Sequence, residues 1–183
     1  MNIGYFADGT WGHRTFKKIN ADKNYKIKFV CVRYDSKDST FIKYCEENHI
    51  DYLKVKNINE KSFFDKLNEY RCDLFVSMSF NQIFKSSLIN LPPKKTINCH
   101  AGKLPFYRGR NILNWVLIND ETEFGITVHY MDEGIDTGDI ILQKTYAIND
   151  NDNYSTLLET AYRECPRLLY KAINQIRENK IRV

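Results

Sequence analysis

Residues 1–12 read MNIGYFADGTWG, and this stretch sets the pattern for the first half of the chain. The apolar run from Asn2 to Phe6 is typical of a buried strand, Asp8-Gly9-Thr10 of a turn, and the residues through Ile19 of a helix. The same alternation recurs up to residue 100. We expect further strands at 25–32, 51–55, 74–78 and 96–99, and further helices at 40–48 and 60–70.

Strands that alternate with helices in this way indicate parallel βαβ units. We therefore expect an α/β fold with a doubly wound, Rossmann-like, mostly parallel sheet, whose ligand crevice lies at the carboxyl ends of the strands. After residue 110 the pattern changes to a helix at 111–119 and two strands at 125–131 and 139–146, joined by a loop at 132–138. A long C-terminal helix is predicted over 155–179, with a kink or break at Pro166.

The composition excludes several classes of protein. A length of 183 residues predicts one domain over 1–183 and no second domain. The mean hydropathy is −0.51, and there is no apolar run of the ~20 residues that a membrane span needs. The N-terminus lacks the basic stretch of a signal peptide, and the five cysteines form no C-x-x-C pair. We therefore expect a cytoplasmic protein with buried thiols and neither a zinc site nor a disulfide framework.

The charge balance is mildly basic, with 27 Lys and Arg against 23 Asp and Glu. These charges interleave along the chain and form no basic block, so we expect neither a nucleic-acid partner nor a membrane partner. A modest positive excess suits a small anionic substrate better.

The first candidate site is the glycine-containing turn after the first strand. It stands where a phosphate-binding loop would stand, but it lacks both the G-x-G-x-x-G spacing and the P-loop Gly-Lys-Ser/Thr. Anion binding at Gly9 and a plain turn are therefore both open. Trp11 and His13 would lie at the rim of the crevice, where Trp11 either stacks on a base or sugar or packs in the core.

The second candidate site is the end of the fifth predicted strand. Asn98 and His100 are two residues apart, so their side chains point to the same side of the strand, with Cys99 on the other. An amide beside an imidazole can stabilise an oxyanion and move a proton at neutral pH. A purely structural role for a histidine at a strand end is the alternative.

The third candidate site is the loop between the last two predicted strands, which carries Asp132, Glu133, Asp136 and Asp139. A carboxylate from this loop next to His100 would raise the pKa of the histidine and fix its orientation. The alternative is a solvated turn closed by its own side chains.

Three motifs stand in order along the chain: N-x-H at 98–100, L-P-x-Y-R-G at 104–109 and G-x-T-V-H-x-M-D-x-G-I-D-T-G at 125–138. In these the sequence resembles the folate-dependent N-formyltransferases, and most of all the nucleotide-sugar (amino-sugar) enzymes of lipopolysaccharide O-antigen biosynthesis. The match is dense over residues 96–143. The resemblance implies a transferase that moves a formyl group from 10-formyltetrahydrofolate, its cosubstrate, to a primary amine, without a metal.

The resemblance also implies roles for individual residues. The catalytic triad falls on Asn98, His100 and Asp136, with either His100 or Asp136 as the formal base. Folate contacts come mainly from the backbone of two loops, which here hold Ser79, Phe80, Asn81, Gln82, Asp132 and Gly134. The residues that would bind the amine substrate are Gly9, Trp11, His13, Lys103, Tyr107 and Arg108.

The resemblance does not decide which amine accepts the formyl group. A nucleotide-linked amino-dideoxy sugar, such as a dTDP-4-amino-4,6-dideoxy sugar, is our preferred interpretation, because the start of the chain and Tyr107-Arg108-Gly109 look more like the sugar enzymes. Glycinamide ribonucleotide is the runner-up. Residues 147–183 leave no space for the tRNA-binding domain of methionyl-tRNA formyltransferases, so we do not expect that function. A binding module without catalysis and a homodimer are further alternatives.

Overall fold

The computed structural model describes residues 1–35 and 37–181, which divide into two compact units, Met1–Asn98 and the chain from Cys99 onward. The strands are β1 (Asn2–Ala7), β2 (Lys26–Val32), β3 (Asp51–Lys54), β4 (Leu74–Met78), β5 (Thr96–His100), β6 (Glu123–Tyr130) and β7 (Ile140–Ala147). The helices are α1 (Gly9–Asn20), α2 (Ser39–Asn48), α3 (Lys61–Glu69), α4 (Ser86–Ile89), α5 (Ile112–Ile118) and α6 (Tyr154–Arg177).

The first unit is a parallel sheet with helices between its strands. Its strand order is β3-β2-β1-β4-β5, and β1 pairs in parallel with both β2 and β4. Phe6 of β1 makes edge-to-face contacts with Phe29 and Phe75, a geometry that stabilises aromatic pairs beyond their burial. A side chain at Gly4 would lie 2.5 Å from the Phe29 ring, so only glycine lets these rings close over β1. The parallel strands send their following loops to one edge of this sheet.

The second unit is built on the hairpin of β6 and β7, which pair antiparallel. Thr127 lies directly opposite Gln143, and Phe124 opposite Tyr146. Because side chains alternate along a strand, these two pairs lie on opposite faces of the hairpin. Tyr146 hydrogen-bonds to Glu164 of α6, so its face is the one that α6 covers.

A kink or break was predicted at Pro166; helix α6 is continuous through that residue, so the helix is not broken there. A proline inside a helix costs about 3 kcal/mol. Two features offset this cost: a capping box between Asn153 and Thr156, and a buried stripe on both sides of the proline. The buried residues of the stripe are Leu157, Ala161, Cys165, Leu168, Leu169, Ala172, Ile173 and Ile176.

The mostly parallel α/β architecture with a C-terminal helix is confirmed, and each predicted strand and helix is present with its ends shifted by a few residues. The short helix α4 was not predicted, because one turn carries no periodic signal. All five cysteines are buried, as expected. Among residues 1–35 and 37–181, no helix is long and apolar enough to cross a membrane. The assignment of 1–183 to a single domain stays a prediction.

Candidate active site

His100 is the last residue of β5, and its side chain is buried, with 9% of the residue exposed. Its Nε2 atom lies 2.7 Å from the carbonyl oxygen of Tyr107. A carbonyl oxygen can only accept a hydrogen bond, so Nε2 must carry a proton. In the neutral ring the other nitrogen, Nδ1, is then unprotonated, and it lies 3.5 Å from Oδ2 of Asp136.

The loop after β5 folds back onto the His100 ring. Gly102 lies so close to it that a side chain there would collide with both Nε2 of His100 and the carbonyl of Tyr107. The amides of Phe106 and Tyr107 both donate to the carbonyl of Lys103, at 3.2 Å, which forms the turn that carries Tyr107. The loop at 101–109 therefore selects the tautomer of His100.

Asp136 supplies a carboxylate to His100 from the loop between β6 and β7. Its backbone has a φ of 52°, in the left-handed region where aspartate is one of the few tolerated residues. Its Oδ2 atom accepts a hydrogen bond of 2.9 Å from the amide of Gly109. Its Oδ1 atom lies 3.4 Å from Nε2 of His129. Burial alone raises the pKa of Asp136, but the His129 hydrogen bond, the charge of His100 and the Gly109 amide lower it to about 2.

His129 belongs to this cluster and was not predicted as a site residue. It is 2% exposed, and its Nδ1 lies 2.7 Å from the carbonyl of Tyr130. Both ring nitrogens thus lie near hydrogen-bond acceptors. The signal that could have found it is the alternation along β6, which places Thr127 and His129 on one side of the strand.

The surroundings of His100 favour transfer of a proton to its Nδ1 atom. Burial lowers the pKa of His100 below its ordinary value, against the opposing effects of the Asp136 charge and the Tyr107 carbonyl. At neutral pH the ring is therefore uncharged and its Nδ1 is basic. When Nδ1 takes a proton, the imidazolium has an ionised carboxylate beside it and a carbonyl on its other nitrogen. General base catalysis needs these properties.

Asn98 is the last residue of the first unit and lies on β5, where its side chain is half-buried. Its role as an oxyanion donor stays a prediction. No group of three or more side chains able to hold a metal ion occurs among residues 1–35 and 37–181.

The residues predicted to contact folate in the first unit follow β4. Ser79 is exposed and has a φ of 59°, and Phe80 packs edge-to-face on Phe6. The Asn81 amide donates to Asp35 at 3.2 Å. The Gln82 side chain is engaged by the backbone, because it accepts from the amide of residue 58 and donates to the carbonyl of residue 55, both at 3.0 Å. Gln82 therefore holds the segment after β3.

Asp132 and Gly134, the residues predicted to contact folate in the second unit, form a closed turn. Oδ1 of Asp132 accepts from the Gly134 amide at 3.1 Å and from the Thr137 hydroxyl at 2.5 Å. This is the self-closed acidic turn that the sequence left open as an alternative.

Among the residues predicted to bind the amine substrate, Gly9, Trp11 and His13 lie at the start of α1. Gly9 has a φ of 65°, and its amide donates to Oδ2 of Asp38 at 3.0 Å. His13 Nε2 lies 2.7 Å from the same oxygen, so this nitrogen is committed to Asp38. Trp11 is half-buried.

The remaining predicted substrate residues lie on the loop at 101–109. The ammonium of Lys103 pairs with Glu123, and the hydroxyl of Tyr107 donates to Glu121. Both cation and hydroxyl are therefore satisfied by carboxylates of the same unit. Arg108 is exposed.

Comparisons with known proteins place these features in context. The model of the family described as formyl transferase matches residues 18–173. The methionyl-tRNA formyltransferase of Syntrophus aciditrophicus is 38% identical over 124 residues, which are 68% of this chain and 40% of that protein. The chain spans about two fifths of the length of the curated relatives it matches. Because these relatives are named methionyl-tRNA formyltransferase, the length of the chain is not an argument against that function, contrary to our expectation from the sequence.

Two solved structures share the fold of the whole chain. Glycinamide ribonucleotide transformylase 1 from Symbiobacterium toebii superposes with a TM-score of 0.85 at 20% identity, covering 100% of this chain and 90% of that one. A sugar 3N-formyl transferase solved in the presence of dTDP and 5-N-formyl-THF superposes with a TM-score of 0.76 at 23% identity, covering 100% of this chain and 65% of that one.

Proposed function

The chain belongs to the formyl transferase family, whose model matches residues 18–173, and we propose that it transfers a formyl group from 10-formyltetrahydrofolate to a primary amine. The observation that carries this proposal is the His100–Asp136 pair. A buried, uncharged imidazole with a basic Nδ1 and an ionised carboxylate beside it is what the amine needs in order to lose its proton.

The reaction follows from these groups. The amine nitrogen attacks the formyl carbon, a C–N bond forms, and the electron pair of the C=O bond moves onto oxygen. His100 Nδ1 accepts the proton that the amine loses, and Asp136 stays ionised beside the imidazolium. The electron pair on the oxyanion then re-forms the C=O bond as the bond between the formyl carbon and N10 of the folate breaks. The electron pair of that bond goes to N10, which takes the proton from His100. We assign Asn98 as a donor to the oxyanion, a role typically worth about 10²–10³ in rate.

For the folate we propose contacts at Ser79, Phe80, Asn81 and Gln82 and, on the second loop, at Asp132 and Gly134. The side chains of Gln82 and Asp132 are already bonded within their own units. The groups of these loops that remain for a pterin are therefore mainly backbone amides and carbonyls.

For the amine we propose a nucleotide-linked amino sugar. The mildly basic balance suits a diphosphate, and the neighbour solved in the presence of dTDP covers the full length of this chain. Contacts would come from the Gly9 turn, Trp11 and Arg108. His13, Lys103 and Tyr107 would join them only by exchanging their carboxylate partners for the substrate.

A second candidate acceptor is methionyl-tRNA, because curated relatives that are 31–39% identical to the chain carry that name. A third is glycinamide ribonucleotide, from the solved structures that share the fold. The acceptors differ in size and charge, so a direct product assay separates them.

The test is mass spectrometry of a panel of amines after incubation with the protein and 10-formyltetrahydrofolate. The panel holds dTDP-, UDP- and GDP-linked amino sugars, glycinamide ribonucleotide and methionyl-tRNA. We expect one nucleotide sugar to gain a formyl group. A product from glycinamide ribonucleotide or methionyl-tRNA alone would replace the sugar proposal and keep formyl transfer. Tight folate binding without any product would favour a binding module.

A control variant in this panel is His49→Asn. His49 is exposed, lies at the end of α2 and has a φ of 53°, which asparagine tolerates. Because it replaces a histidine outside the candidate site, it should give the same products as the unaltered chain.

A further inference from the structure

The loop that follows His100 lies along one face of the β6–β7 hairpin. Alternate residues of β6 form this face, and each contacts either the loop or Asp136. Glu123 pairs with Lys103, and a side chain at Gly125 would come within 2.8 Å of the Lys103 Cα atom. Further along the same face, His129 contacts Asp136.

Between these contacts, Thr127 and Gln143 form a polar clamp on the loop. Thr127 is fully buried, and its hydroxyl donates to the carbonyl of Gly102 at 2.7 Å. Gln143, directly across the strand pair, donates from Nε2 to the Thr127 hydroxyl and to the carbonyl of Leu104, each at 2.9 Å. The Leu104 amide approaches the same hydroxyl at 3.4 Å. The clamp thus supplies a hydrogen-bond donor to each of two loop carbonyls, those of Gly102 and Leu104.

The clamp is connected to His100 through the loop. Gly102 and Leu104 stand on either side of Lys103, whose carbonyl closes the turn leading to Tyr107. The Tyr107 carbonyl in turn accepts the Nε2 proton of His100. Fixing residues 102–104 therefore fixes the acceptor that keeps the proton on Nε2 and leaves Nδ1 basic.

We propose that Thr127 and Gln143 are positioning residues, which set the tautomer of His100 by holding the loop at 102–107. The effect on turnover rests on the proposed formyl transfer; the effect on the His100 ring does not. Without the clamp the Tyr107 carbonyl moves away from Nε2, and the fraction of His100 with a basic Nδ1 falls. Displacements of about 1 Å in such groups cost up to about 10²-fold in rate.

The principal test compares Thr127→Val, which keeps the shape and removes the hydroxyl, with Thr127→Ser, which restores it. The tautomer of His100 is read from the ¹⁵N chemical shifts of its ring, and kcat and KM are measured with the accepted amine. We expect Thr127→Val to lower kcat about tenfold to a hundredfold with KM within about twofold, and to shift the ring signals away from the Nε2–H form. Thr127→Ser should resemble the unaltered chain in both.

Thr96→Val is the matched control for stability. Thr96 is also fully buried and donates its hydroxyl to a backbone carbonyl, that of Ile89, at 2.9 Å. It should lose a similar thermal stability and keep the kcat and the His100 signals. If Thr127→Val behaves like Thr96→Val in both readouts, the clamp is merely structural and the proposal is overturned.

Gln143→Leu covers the case in which Thr127→Val does not fold. Gln143 is exposed on β7, so its replacement leaves the core intact. A shifted His100 signal and a lowered kcat in this variant support the proposal, and unchanged ring signals overturn it. If the unaltered chain transfers no formyl group to any amine, the proposed function fails, while the ring signals still decide the positioning role.

Discussion

The two units each contain a histidine–aspartate pair, and the pairs differ in how their hydrogen bonds are used. In the first unit, Nε2 of His13 lies 2.7 Å from Oδ2 of Asp38. In the second, Nδ1 of His100 lies 3.5 Å from Oδ2 of Asp136, and Nε2 is bonded to a carbonyl. We call His13 and Asp38 the closed pair, because the ring nitrogen and the carboxylate lie within hydrogen-bond distance. We call His100 and Asp136 the open pair, because Nδ1 of His100 lies farther from its carboxylate and keeps a basic electron pair.

The other contacts of the closed pair explain its role. Asp38 is 8% exposed and caps α2 by accepting from the Phe41 amide at 3.0 Å, while it also accepts from the Gly9 amide at 3.0 Å. Burial raises the pKa of Asp38, but these amides and His13 outweigh it and lower that pKa. The closed pair therefore joins the loop after β1 to the start of α2. The same two residue types serve structure where the bonds are complete, and chemistry where one nitrogen is left available.

The largest expected effect comes from removing the base of the open pair. His100→Gln keeps an N–H group for the Tyr107 carbonyl but has no titratable nitrogen. We expect kcat for formyl transfer to fall on the order of 10³-fold, since a general base contributes about 10²–10⁴. The measurement is the single-turnover rate with the accepted amine, alongside a thermal melt. A variant that folds and retains more than about a tenth of the rate would remove His100 from the role of base.

The next effect breaks the closed pair. Asp38→Ala removes the acceptor of two backbone amides and of His13, which leaves a cap unfilled and two amides without that partner. We expect a loss of about 2–3 kcal/mol in the free energy of unfolding, from urea titration. Asp38→Asn keeps one side-chain oxygen as a cap and should lose less. Equal losses in the two variants would contradict the capping role.

Much of this contrast could be predicted from sequence. The motif N-x-H at a strand end indicated His100, and the acidic loop indicated a carboxylate near it, which the resemblance identified as Asp136. The structure brings these two side chains to 3.5 Å. Their proximity was predictable because strand ends of an α/β fold gather at one edge. That His13 instead bonds to Asp38, some 25 residues away, depends on which loops meet. Local spacing carries no such information.

The remaining differences have the same cause. The binding of substrate by Lys103 and Tyr107, which the resemblance implies, stays a prediction, whereas their contacts with Glu123 and Glu121 are visible only in the structure. Gln143 becomes visible only once the register of β6 and β7 is known, because register decides which side chains of the two strands share a face. Pro166 was overridden by the burial of α6, a tertiary effect that a local rule omits.

A smaller effect is expected from the pH dependence of the open pair. The pKa of Asp136 is about 2 in the folded chain against 3.8 as the ordinary value, so its carboxylate stabilises the fold above about pH 4. That contribution, about 2 kcal/mol, is lost as the pH falls toward 2. The free energy of unfolding of the unaltered chain and of Asp136→Asn should therefore differ at pH 7 and converge at acid pH. A difference that does not change with pH would contradict the assignment.

Titration of His100 also makes the stability of the fold depend on pH, and in the same direction as Asp136. Because burial lowers its pKa, the unfolded chain binds the proton first as the pH falls below 6.5, and stability declines there. In His100→Gln this decline should be reduced. In the same range, the rate of formyl transfer should fall with a midpoint below pH 6.5, since the base form of His100 is required.

The smallest expected effect comes from removing the histidine of the closed pair. His13→Leu removes one of the hydrogen bonds to Asp38 and retains an apolar side chain against Phe41, whose ring lies 4.8 Å from that of His13. Asp38 keeps both backbone amides, so we expect a loss of about 1 kcal/mol, or a melting temperature lower by about 2–4 °C. Because His13 holds a loop and its Nε2 is already bonded, kcat should stay within about twofold. A fall in kcat like that of His100→Gln would mean that the bond distance does not separate the two roles.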